Sequence, residues 1–154
     1  MITQDTATDG TEGLEAVCRV SGHHASNGAL RNDSVTSWTL TIPAVVQFMN
    51  LNQRMHWAEK ARLTKAWRNA AHVFASGSKL PNGLERVHTV AHIIKPTARK
   101  YDVHNLMPTL KACIDGLVDY GLIVDDTNDH LTGPDLRQGD KGYAAVVLTI
   151  TEVS

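Results

Sequence analysis

The stretch YDVHNLMPTLKACIDGLVDYGLIVDD, residues 101–126, concentrates the side chains best suited to chemistry. Asp102 precedes an apolar-periodic run, Lys111 and Asp115 lie one helical turn apart within it, and Asp125–Asp126 follow a short apolar segment. A helix followed by a reversal folds such a stretch back, so its two ends need not be far apart. Carboxylates gathered this way repel one another and are costly together without a cation. Magnesium meets that need, since it takes oxygen ligands, keeps several waters and can activate one against a phosphodiester. A lysine nearby can neutralise phosphate charge in the transition state. The plainer alternative is that these aspartates cap helices and make turns. Spacing alone leaves both open.

A basic segment lies just upstream. Between Asn50 and Lys111 there are 11 basic and 3 acidic residues, a balance of +8, which leaves −9 for the rest of a chain of net charge −1. A phosphate-binding face followed by an acidic metal-binding segment has this distribution, as does a helix with a solvated basic face. Candidate phosphate contacts are Arg54, His56, Lys60, Arg62, Lys65, Arg68, Arg99 and Lys100. Trp57 and Trp67 have the flat rings that stack on bases, although Trp67 falls in an apolar stripe that favours core packing. His88 and His92 share one strand face, and partial burial with hydrogen bonding suits them better than a metal pair.

The elements that must position these groups follow from periodicity. Trp38–Ile42 alternates as a strand, and Leu14–Val20 as a weaker one. From Met55 to about Ser76, Leu63, Trp67, Ala70 and Phe74 form a helical stripe opposite Arg62, Lys65, Asn69 and His72, with Gly77 as the stop. Leu84–Ile94 reads as a strand closed by Pro96. Pro108 to Tyr120 reads as a second helix with Gly121 at its C-terminal cap. Thr127 to about Lys141, including GPDLR, reads as a polar loop with one further strand near His130–Thr132, and Tyr143–Val153 is a final strand. The expected architecture is α+β, a mixed sheet with two main helices packed on one face, in the order β-α-β-α-β with that possible extra strand.

Residues 1–34 read as a largely flexible extension and 35–154 as a single domain. At 154 residues the chain can bury a core without staples, and Cys18 and Cys113 carry neither a disulfide framework nor metal spacing. A cytoplasmic setting is the expectation, with no apolar run long enough for a membrane span.

YDVHNL, LKACIDGL, GLIVDD and the closing LTITEV together resemble the RusA family of Holliday junction resolvases, whose pattern is close to DxDNL…K…DAL…G…DD. NLNQRMHWAEKARLTKAW also looks like the first-helix region of phage-type members. The resemblance implies a RusA-like nuclease domain and a homodimer that cuts four-way DNA junctions in recombination and repair. It implies magnesium as cofactor, with manganese as the second candidate, and a bacterial host cell as the setting. By the same resemblance Asp102 and Asp126 match metal ligands, Lys111 the catalytic lysine, Asp115 the helix acid, and Asp125 the first member of the acidic pair. Two departures stand out. His104 occupies the position of the family's second acid, and histidine suits zinc or manganese better than magnesium. Three additional residues, around Met107–Thr109, separate the NL pair from the lysine, so Asp129 or Asp135 becomes a candidate replacement acid. The alternatives are a branched-DNA-binding protein of the same fold that cuts weakly or not at all, and a small metal-dependent phosphohydrolase.

Overall fold

The computed structural model describes residues 19–20 and 35–153. Arg19–Val20 form a two-residue strand, β1. The rest of the strand expected from Leu14, and the extension expected over 1–34, lie outside the described residues. Strand β2 is Ser37–Pro43, with Leu40 and Ile42 buried on alternate positions. Helix α1 runs Trp57–Gly77, strand β3 Val87–Ile94 and helix α2 Met107–Tyr120. A single turn of 3-10 helix, Val103–Leu106, leads into α2. Strands β4, Leu131–Gln138, and β5, Ala145–Glu152, complete the chain.

The expected α+β class holds, with one correction. Helix α1 ends at Gly77, as expected, with its cap at Ser78 and the left-handed turn on Lys79 (φ 53°). The segment expected as a loop from Thr127 to Lys141 contains the eight-residue strand β4. Gly133 and Pro134 point to a turn in sequence, yet β4 is the outer strand of the sheet. An edge strand tolerates a proline, whose missing N–H can face away from its neighbour, and a shift of register lies beside it between His88 and Val90 of β3.

The sheet order is β1-β2-β5-β3-β4. β5 is antiparallel to both β2 and β3, and β3 is parallel to β4. Thus β2, β3 and β4 share one direction, and α1 and α2 are the crossovers that return the chain between them. Strict alternation of burial along β3 puts Val87, Thr89, Ala91 and Ile93 under the helices and leaves His88, Val90, His92 and Ile94 half-buried on the other face.

The core lies between helices and sheet. Trp67 is fully buried, stacked on Phe48 at a ring separation of 5.4 Å, and its indole N–H donates to the Gln47 carbonyl at 3.0 Å. Burying the indole N–H without that acceptor would cost about 1–3 kcal/mol, offsetting part of what its packing contributes. The helices approach closely at Gly116, where a Cβ would lie 2.2 Å from the Arg68 carbonyl oxygen and 2.8 Å from the Ala71 Cβ. Only a residue without a side chain permits that approach.

Candidate active site

Helix geometry and one reversal bring the motif residues together. Lys111 lies ten residues before Gly121, about 15 Å along a helix at 1.5 Å per residue. Gly121 takes the left-handed conformation (φ 97°), and the Leu122 N–H reaches back to the Leu117 carbonyl at 3.1 Å. Asp126 lies five residues beyond, about 16 Å of extended chain. The return segment is held against 83–84 by the Gly83 N–H to Gly121 carbonyl and Leu84 N–H to Leu122 carbonyl bonds, both 2.8 Å. The two distances match, and Asp126 arrives beside Lys111.

The Lys111 ammonium donates to Asp115 Oδ1 at 2.7 Å and to Asp126 Oδ2. Two carboxylates from different parts of the chain therefore share one cation. Asp115 and Asp126 raise the Lys111 pKa above the usual lysine value, and Lys111, with help from Asp125, holds the Asp126 carboxyl below the usual carboxylate range. Asp125 Oδ1 accepts the Asp126 N–H at 2.8 Å, which sets the local turn. One turn further along α2, Asp119 receives the Arg68 guanidinium in a two-point contact, with Nη2 to Oδ1 at 2.8 Å. That pair lowers the Asp119 pKa and ties α1 to the same charged row.

Asp102 has a different task in this arrangement. It caps the 3-10 turn, accepting the His104 N–H at 3.0 Å. His104 is exposed on that turn. Among the described residues, no three His, Cys, Asp or Glu side chains stand close enough to hold a metal ion, so Asp102, His104 and Asp126 are not gathered as one ligand set. Asp129 is exposed, and Asp135 bonds His88 Nε2 at 3.1 Å on the edge strand. His88 is thus hydrogen-bonded, as its strand position suggested.

Thr109 has a structural role of its own. Thr109, fully buried, accepts the Met49 N–H at 2.7 Å and donates to the Met49 carbonyl at 3.1 Å. The Leu51 N–H donates to the Asn105 carbonyl at 2.8 Å. These bonds fasten the segment before α1 to the start of α2, and a cleft of about 320 Å³ forms there, lined by Asn50, Gln53, Arg54, Lys60 and Pro108 among others.

Of the eight candidate phosphate contacts, Arg62 is forked onto Glu59 at 3.1 and 2.7 Å, Arg68 is held by Asp119, and His56 caps α1 by accepting the Ala58 N–H at 3.2 Å. Arg54, Lys60, Lys65, Arg99 and Lys100 are exposed. Sequence reasoning missed the Arg68–Asp119 bridge and the Thr109–Met49 lock, because both join residues far apart in the chain.

No protein-family model and no curated protein matches this chain. Among solved structures it is similar to the thiamine monophosphate kinase of Aquifex aeolicus, at 10% identity and a TM-score of 0.39, over 80% of this chain and 35% of that one. A likeness that weak carries no functional inference.

Proposed function

We propose that this chain is a RusA-type endonuclease that cuts branched DNA with a divalent metal, magnesium or else manganese. The observation that carries the reading is Lys111 held between Asp115 and Asp126, three residues of one ordered motif converging from a helix and the return segment after it. Carboxylate oxygens are the hard donors that suit magnesium, which when bound would supply charge neutralisation and a polarised water. Asp126 and Asp115, with Asp125 adjacent, are the oxygen donors at this point. Asp102 caps through Oδ1, which leaves its second carboxylate oxygen as a further donor. Lys111 would turn its ammonium toward a phosphate oxygen as the carboxylates take up the metal. The exposed cations of α1 and of the segment before it would hold the DNA backbone. A homodimer, paired incisions and a phage-infected bacterial cytoplasm belong to the same proposal.

A second reading is favoured by His104, a histidine where the family-like pattern has an acid: a protein that binds branched DNA without cutting it. A synthetic four-way junction offered with magnesium and with manganese decides between them. Wild type is expected to cut, and Asp126→Asn to bind with unchanged affinity but not cut. Tight binding by wild type with no product under either metal would overturn the nuclease reading.

A further inference from the structure

Helix α1 presents an unusual exposed face. Trp57 is 76% exposed at its first turn, the position where a tryptophan gains least from packing. It heads a shallow, open groove of about 620 Å³ lined by Lys60, Ala61, Thr64, Lys65 and Arg68. Positions 57, 61, 64 and 68 form one helical stripe about 16 Å long. Its floor is small, Ala61 and Thr64, and the Thr64 hydroxyl is turned away into bonds with the Lys60 carbonyl at 2.8 Å and the Met49 sulfur at 3.4 Å. The charges along it are unequal. Arg68 is neutralised by Asp119, whereas Lys60 and Lys65 form no ion pair with an acid among the described residues. Lys60 also lines the cleft that contains Arg54, so the strip of exposed positive charge continues to the segment before α1.

We propose that this groove is a stacking platform for an unpaired stretch of DNA: the Trp57 ring takes a base face, and Lys60 and Lys65 take the flanking phosphates. The charge favours a polyanion. The exposed flat ring favours a ligand with an open π-face, which a base offers only where it is unstacked. The small floor gives a planar group room to lie along the helix. This inference rests on the nucleic-acid reading of the basic face and is independent of any metal.

The test is titration of the full chain with oligothymidylate in a metal-chelating buffer at low salt, followed by tryptophan fluorescence and by anisotropy of a labelled strand. Trp67 is buried and Trp38 half-buried, so quenching by stacking reports on Trp57. Wild type should be quenched, and should bind the single strand more tightly than a duplex of equal length. Trp57→Phe should retain affinity within about threefold but lose the quenching, and Trp57→Ala should weaken binding roughly 5- to 100-fold, the range for losing one base–aromatic stack. Lys60→Gln and Lys65→Gln should each flatten the salt dependence. Equal affinity of wild type and Trp57→Ala, or quenching that persists in Trp57→Phe, would overturn the proposal. A wild type that binds through Trp57 yet never cuts a junction would end the nuclease reading and leave this one standing. A junction nuclease indifferent to Trp57 would do the reverse.

Discussion

Lys111 answers the repulsion that the sequence sets up. Two carboxylates meet at its ammonium, and Lys111 and Asp126 stay charged across the neutral range because Asp126 is shifted down and Lys111 up. The sign of each contribution to stability follows. Asp126 favours the folded state above the ordinary carboxylate pKa of about 3.9, and that contribution is lost as pH falls through its lower folded value. Lys111 favours it below about 10.4, with loss as pH rises through its higher folded value. Lys111 is 57% exposed, so solvent screens the pair and Lys111→Met should cost less than about 1 kcal/mol at neutral pH. The same change should move the Asp126 carboxyl titration, followed by NMR, up toward the ordinary aspartate value. An unmoved titration would show that the pair does not form in solution.

At the scale of elements, Gly116 decides how near α2 sits to α1, and hence where its charged row stands. Gly116→Ala places a methyl group inside the contact distance of the Arg68 carbonyl, so the helices must part at a cost of about 1–3 kcal/mol, readable in urea denaturation. Gly77 is the control. It lies in α1 with open space where a methyl group would stand, so Gly77→Ala should stabilise by up to about 1 kcal/mol through helix propensity and loss of unfolded-chain freedom. Equal effects from the two changes would mean that helix contact at Gly116 is not the constraint.

For the molecule as a whole, an almost neutral chain carries a strongly segregated charge, with a window of +8 ahead of and overlapping the acidic motif. Long-range attraction for a polyanion is the physical consequence, and it must weaken with salt. If four of the exposed cations reach phosphates, junction affinity should fall roughly 100-fold between about 50 and 200 mM salt. A gel shift at the two concentrations measures this. An affinity that ignores salt would point instead to the small-molecule hydrolase alternative.

The periodic elements were legible because burial on one side of a helix or strand imposes its period on the sequence: the α1 stripe containing Trp67 and the alternation of β3 are where the residues indicated. Of β4 only the start, near His130–Thr132, was legible; its run through Gly133 and Pro134 to Gln138 was not, because an edge strand need not obey the rules that exclude those residues from a sheet interior. The motif itself was visible as residue types and spacing, and the reversal at Gly121 was readable from its glycine. What spacing could not contain is which side chains meet. The tertiary structure alone decided that Lys111 bridges Asp115 and Asp126, that Asp102 serves as a cap, and that Arg68 is taken by Asp119 while Lys60 and Lys65 stay free of the described acids. The Arg68–Asp119 pair depends on the distance at which the two helices pack, which Gly116 sets, and the Lys111–Asp126 pair on the return of the chain after Gly121.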